Sequence, residues 1–175
     1  EKSCENTVSA VSGLMYGIDI NTYFCMDRIV FADMANVIGG VTVPEYDDNF
    51  KPTGRNVTLK GDKLLDYLFK RDVNALESNS NRVERQLNFL KAFSAKTIEQ
   101  TKKDITVPLN LYNKLSKKSI STVDASKITY LTSVFMNGGM DLEFMTLPGT
   151  LKQGEKYAEM YPDEKAIYEL ILKVF

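Results

Sequence analysis

The run Asn81-Arg82-Val83-Glu84-Arg85-Gln86, with the residues that follow it to Phe93, restricts this chain more than any other stretch. Asn81 suits a helix N-cap, because its side-chain oxygen can accept an orphan backbone N–H, and Glu84 can reach back to complete the box. At about 100° per residue, Val83, Leu87, Phe89, Leu90, Ala92 and Phe93 share one broad arc, and Glu84, Asn88 and Lys91 lie opposite. Arg82 and Gln86 fall inside the apolar arc. There each needs a partner, because burying an unpaired guanidinium or amide costs several kcal/mol. Two kinds of partner are open. One is an anionic ligand, favoured by the free N–H groups and dipole of the helix start and matched by the planar fork of Arg82. The other is a structural Asp or Glu elsewhere in the fold.

At 175 residues and 43% hydrophobic content the chain predicts one domain, residues 1–175, with a substantial core. The net charge of −1 gives no overall attraction to nucleic acid, although Lys70–Lys118 is rich in Lys and Arg. Histidine is absent, which removes Ser-His and Cys-His nucleophile pairs and every histidine-based metal site. Cys4 and Cys25 make neither a CxxC motif nor a zinc site, and read as two buried thiols or as one disulfide if the chain is extracytoplasmic. No run has the length of a membrane-spanning helix, and Glu1 opens into polar sequence without an initiating Met, so a preceding segment is expected.

In chain order, Val8, Val11, Leu14 and Met15 predict a helix ended by Gly17, and Asp19–Asp27 predicts a strand covered on both faces. A short helix with Met34, Val37 and Ile38 on one face stops at Gly39-Gly40. Val41-Thr42-Val43-Pro44 then reads as a brief strand, and Glu45–Asn56 as a surface loop or loose hairpin. Asp47-Asp48 in that loop reads as a solvated pair rather than a metal site. Leu64, Leu65 and Leu68 predict a helix from near Gly61, and Lys70–Ser80 a loop leading to the Asn81 helix. Beyond a basic helical segment punctuated by Pro108, Ser121–Asp124 caps a helix with Ile128, Leu131, Val134 and Phe135 on its buried face. Asp141–Leu147 predicts a strand stopped by Pro148-Gly149, and a last helix after Pro162 carries Ile167, Leu170, Ile171 and Val174 inward. Helices alternating with short strands predict an α/β layer fold.

Taken in order, these landmarks resemble the second half of the LytR-CpsA-Psr cell-envelope family. The resemblance runs through Gly17-Ile18-Asp19-Ile20-Asn21-Thr22-Tyr23, Val37-Ile38-Gly39-Gly40-Val41, Leu59-Lys60-Gly61, Leu64-Leu65-Asp66-Tyr67, Arg82-Val83-Glu84-Arg85-Gln86 and Thr146-Leu147-Pro148-Gly149. It implies a three-layer α/β/α sandwich, here without the family's N-terminal strands. It further implies an extracytoplasmic bacterial enzyme, anchored through an upstream membrane helix, that transfers undecaprenyl-pyrophosphate-linked glycopolymers of teichoic acid or capsule type to a peptidoglycan acceptor. By the same resemblance Mg²⁺ assists, with ligands outside this chain, and a hydrophobic channel takes the lipid tail. The pyrophosphate site is expected from Lys70, Arg71, Arg82, Arg85 and Gln86, with Arg71 and Arg82 as the catalytic pair. Such chemistry needs no histidine, since phosphoryl transfer rests on positioning and charge neutralisation.

The chain departs from the family pattern at three points. Phe69 stands where the first arginine of an Arg-x-Arg pair is usual, Arg71 keeps the second, and Lys70 offers a mobile ammonium. Ser78 or Asn79 takes the place of an acidic residue before the arginine helix. The family's first half, with its metal-binding aspartates, is missing from these residues, so the fragment alone is not expected to be a competent Mg²⁺ enzyme. The alternative is a degenerate, non-catalytic module that binds polyprenyl phosphate or wall polymer. The family's older label of transcriptional attenuator suggests nucleic acid, but the acidic balance and sparse aromatics of the basic segment give no support to it.

Overall fold

A computed structural model describes residues 2–72, 78–138, 143–155 and 158–174. The fold is α/β. Its helices alternate with strands that pair, among the described residues, into three two-stranded antiparallel sheets. The chain divides into two compact units, residues 24–142 and residues 1–23 with 143–175.

In the larger unit, β1 (Phe24–Met26) pairs with β4 (Ser119–Ser121), setting Cys25 opposite Ile120. The expected two-face burial of Asp19–Asp27 does not occur: only three residues are strand, and Cys25 is exposed. Cys4, in the other unit, is half-buried, so the expectation of two buried thiols fails. Helix α2 (Val30–Val37) buries Val30, Ala32, Met34 and Ala35. It ends at Gly39 and Gly40, both with positive φ, and Gly40 N–H donates to Ala35 O at 2.7 Å. A Cβ at Gly40 would meet Thr58 Cγ2 at 3.0 Å, so the turn needs glycine for space as well as for conformation.

Strand β2 (Val41–Tyr46) runs past Pro44 with a bulge and pairs with β3 (Pro52–Leu59), so Glu45–Asn56 is an ordered hairpin. Alternation sends Val41 and Val43 inward and Thr42 outward, where its hydroxyl meets that of Thr58 at 2.8 Å. Asp47 is exposed, as expected, and also closes the hairpin, its Oδ1 accepting the N–H groups of Asn49 and Lys51 at 2.9 Å each. Helix α3 (Gly61–Phe69) buries Leu64 and Leu68, one turn apart.

Helix α4 (Ser78–Lys103) is the axis of this unit. Phe89 is fully buried among Ile38, Val41, Val43, Leu59, Leu64, Leu68 and Leu111. Its ring meets Phe31 edge-on at 5.8 Å and stacks on Phe93 at 5.6 Å. Burying each such side chain stabilises the fold by about 1.5–3 kcal/mol. Pro108 sits in the first turn of α5 (Val107–Leu115), where its missing N–H costs nothing. After a short 3₁₀ turn and β4 comes α6 (Ala125–Gly138), capped by Asp124, whose Oδ1 accepts from Lys127 N–H at 2.8 Å. Leu131 and Val134, expected to be buried, are exposed on α6.

The smaller unit holds α1 (Lys2–Leu14), β5 (Gly149–Gln153), β6 (Ala158–Pro162) and α7 (Glu164–Val174). Helix α1 ends through Tyr16 and Gly17 in left-handed conformation, with Gly17 N–H donating to Ser12 O at 2.8 Å. Tyr16 packs edge-on against Tyr168 at 5.5 Å and donates its hydroxyl to Glu164 O at 3.1 Å. Asp163 caps α7, and Ile167 is its buried anchor, whereas Val174 is exposed. Residues 143–147 form no strand; the strand pair follows Pro148 instead, and residues 141–142 lie outside the described set.

Candidate functional site

The corner between α3 and α4 holds every residue the sequence singled out. Helix α4 begins at Ser78, so Asn81 lies within its first turns and is not the N-cap. Glu84 does not reach back to it either: its carboxylate accepts the Tyr46 hydroxyl at 2.8 Å. The buried face is also rotated from the expected arc, because Arg85 is 1% exposed whereas Val83 and Leu90 lie at the surface. Residues 73–77 of the expected Lys70–Ser80 loop lie outside the described set, and Ser78–Ser80 are already helix.

Arg85 donates to three main-chain carbonyls, from Nε to Tyr67 O at 2.6 Å, from Nη2 to Lys70 O at 2.5 Å and from Nη1 to Asn81 O at 3.2 Å. Its cation faces the rings of Phe50, at 4.7 Å, and Tyr46, at 5.9 Å. Gln86 Nε2 donates to Leu68 O at 3.1 Å. Tyr67 and Leu68 belong to the last turn of α3 and Lys70 follows it, so two side chains of α4 supply donors that this helix end lacks. Farther along, Lys96 donates to Gly40 O at 2.8 Å and Gln100 to Ile38 O at 3.2 Å, capping α2 in the same way. Desolvation lowers the pKa of Arg85, opposed by the neighbouring Tyr67 and Tyr46 phenols.

Arg82 is half-buried and placed differently. Its Nη2 donates to Asn79 Oδ1 at 2.6 Å, while its Nε is buried and has no hydrogen-bond partner among the described residues. The guanidinium is therefore steered by a neutral amide, at the place where an acidic residue was expected. Lys70 and Arg71 are exposed just beyond α3.

Two clefts flank the end of α3. One, of about 260 Å³, lies under the β2–β3 hairpin and is lined by residues that include Tyr46, Phe50, Tyr67, Lys70 and Arg85. The other, of about 390 Å³, is lined by Arg28, Asp62, Leu65, Asp66, Phe69 and Lys70. Lys70 and Asp66 border both. Phe69 packs edge-on against Phe31 at 5.6 Å, so the position that lacks the family's arginine is used for packing. Burial, and then the Glu84 carboxylate, push the Tyr46 phenol up to about 12. Burial likewise raises Tyr67, and both stay protonated at neutral pH.

Sequence reasoning missed Arg28, Tyr46, Phe50, Asn88 and the structural use of Arg85. Arg28 lies 42 positions before Lys70 in the numbering, so no local spacing could pair them. Among the described residues no group of three or more carboxylates and thiols converges on a point that could hold a metal ion. The acids bordering the clefts are in part engaged, Asp47 in its turn and Glu45 with Arg55 at 2.9 Å. No described helix is long and apolar enough to cross a membrane.

A sequence profile of the LytR_cpsA_psr family matches residues 4–172. No curated protein sequence matches the chain. Among solved structures, a transcriptional regulator from Enterococcus faecalis superposes with a TM-score of 0.73 at 16% identity, covering 97% of this chain and 63% of its own. TagV of B. subtilis gives 0.71 at 19% identity, over 97% of this chain and 68% of its own. TagT bound to LI-WTA gives 0.68 at 18% identity, over 95% of this chain and 64% of its own. The chain thus spans about two thirds of the length of these relatives. With the family profile running almost end to end, the chain belongs to the LytR_cpsA_psr family.

Proposed function

We propose that this chain contributes the pyrophosphate-holding part of a phosphotransferase that moves a glycopolymer from undecaprenyl pyrophosphate to peptidoglycan, outside a bacterial cell membrane. The observation that carries the reading is Arg82, half-buried, with a buried Nε that has no hydrogen-bond partner among the described residues and the Asn79 amide beside it. Such a cation keeps its full charge for a ligand, and a di-anionic pyrophosphate satisfies both the open N–H and the charge. The exposed Lys70 and Arg71 lie on the other side of the 73–77 connection and add mobile positive charge. In the transfer, an acceptor hydroxyl oxygen bonds to the phosphorus that carries the polymer, the bond from that phosphorus to undecaprenyl phosphate breaks, and the hydroxyl proton ends on the departing phosphate or in solvent. Arg82 stabilises the charge gathering on the leaving phosphate. Mg²⁺, if it takes part, is held by ligands outside this chain. The wall-teichoic-acid complex of TagT supports a polymer substrate of that kind.

The test is a titration of the protein and its Arg82→Ala variant with farnesyl pyrophosphate, alongside thermal unfolding of both. Binding is expected to weaken at least about tenfold with little change in Tm. Equal binding by the two proteins removes Arg82 from the site, and a loss of stability without loss of binding returns it to a structural role.

A second reading rests on Phe69. Its packing against Phe31 commits to the core a position where a second arginine would have stood, which fits a module that binds polyprenyl phosphate or wall polymer without turnover. Polymer transfer to peptidoglycan by the full-length protein excludes that reading.

A further inference from the structure

We propose that Arg85 is a positioning residue, a clamp that holds the end of α3 against the start of α4 and so sets Lys70 and Arg82 at a fixed separation as two sides of one anion site. The anion site is that of the preceding section, on which this inference rests. Arg85 is 1% exposed, and among the described residues its acceptors are all main-chain carbonyls rather than a carboxylate. Two of those carbonyls, on Tyr67 and Lys70, precede the stretch that joins α3 to α4, and the third, on Asn81, lies in the first turns of α4 beyond it. One rigid guanidinium thus spans the chain on both sides of the segment that separates Lys70 from Arg82. Gln86 adds a second pin through Leu68 O.

The hairpin reinforces the clamp. Phe50 has a φ of 59°, a left-handed conformation that L residues rarely adopt, and its ring lies 4.7 Å from the Arg85 guanidinium carbon. With three carbonyls on its donors and rings over its face, Arg85 has little left with which to take an anion. What it controls is geometry. Lys70 offers its carbonyl to Arg85 while its side chain stays at the surface, and Arg82 lies one turn before Arg85 on α4. A ligand held from two elements at once binds only as well as their separation allows, because hydrogen bonds weaken steeply with misalignment. Lysine cannot replace the clamp, since its ammonium is a single point on a flexible stem and cannot serve three carbonyls in a fork.

The experiment is a double-mutant cycle on the full-length protein, with farnesyl pyrophosphate as probe. Arg85→Lys is expected to weaken binding about tenfold in the parent and less than about twofold in the Arg82→Ala background. Amide hydrogen exchange should quicken at residues 70–72 and 78–82 while Phe89–Phe93 keeps its protection. Unchanged binding by Arg85→Lys, or an equal loss in both backgrounds, overturns the clamp and leaves Arg85 as a fold-stabilising residue. If Arg85→Lys does not fold, Gln86→Met is carried through the same cycle, with a loss of about threefold expected in the parent alone. If Arg82→Ala binds as well as the parent, the pyrophosphate reading fails by itself. Exchange at residues 70–72 and 78–82 then decides the clamp, and protection as in the parent overturns it.

Discussion

One turn of α4 separates two arginines with opposite situations. Around Arg85 and Gln86 the side-chain donors are taken up by the main chain: three carbonyls on one residue and one on the other. Around Arg82 and Asn79, the Arg82 Nε finds no hydrogen-bond partner among the described residues, and the guanidinium donates to a neutral amide. The difference lies in what each residue meets. At Arg85 the helix passes the C-terminal end of α3, whose last carbonyls lack intrahelical donors and carry the negative end of its dipole. At Arg82 the neighbour is an amide, which fixes direction without neutralising charge. Buried cations of the first kind stabilise a fold; those of the second kind are candidates for holding a ligand, the role proposed for Arg82.

The contrast can be broken most forcefully at Arg85. Arg85→Ala strips donors from the Tyr67 and Lys70 carbonyls, each costing about 1–3 kcal/mol when left unsatisfied, so urea unfolding should show a loss of about 3 kcal/mol. A loss below about 1 kcal/mol would mean that water replaces the guanidinium freely. Arg82→Ala should show the reverse pattern, stability changed by no more than about 0.5 kcal/mol but farnesyl pyrophosphate bound at least about tenfold, or about 1.4 kcal/mol, more weakly. If both variants lose stability alike, the two regions do not differ in kind. Gln86→Leu removes one donor from Leu68 O and should cost about 1 kcal/mol, read by the same unfolding series.

The smallest effect is expected at Tyr46, which borders the Arg85 side. Tyr46→Phe loses a bond to Glu84 and one from Asn88, worth about 0.5–1 kcal/mol together at neutral pH. Its phenol titrates at about 12 in the fold against 10.0 ordinarily, so the unfolded chain releases its proton first. Its contribution is complete below pH 10 and is lost as pH rises toward 12. Stability measured from pH 8 to 12 should therefore fall less steeply in Tyr46→Phe, while Tyr67 continues to contribute its own alkaline loss. Identical slopes in parent and variant would remove Tyr46 from the alkaline sensitivity.

The two described hairpins show where sequence reading works and where it fails. Val41-Thr42-Val43 alternates and is buried on one side under α4, so the period-two signal and the burial agree. In β5 and β6 every residue is exposed, no alternation marks them, and the strand was expected instead at Asp141–Leu147, before Pro148-Gly149. The same rule explains α4. Its helical character was legible from Phe89 and Phe93, but its start was misplaced, because Asn81 has the chemistry of a cap without occupying that position.

By itself the sequence determined the α/β class, the glycine turn at Gly39-Gly40, the inward-facing Phe89 and the family, since these rest on local periodicity, backbone conformation and residue order. It also marked the Arg82–Gln86 run as needing partners. Which arginine is spent and which is open was decided only by tertiary structure. The carbonyls that occupy Arg85 belong mainly to α3 and the residue after it, and no spacing within the run reveals that another helix ends beside it. A guanidinium has the same donors wherever it stands, and its role follows from the acceptors that the fold brings to it.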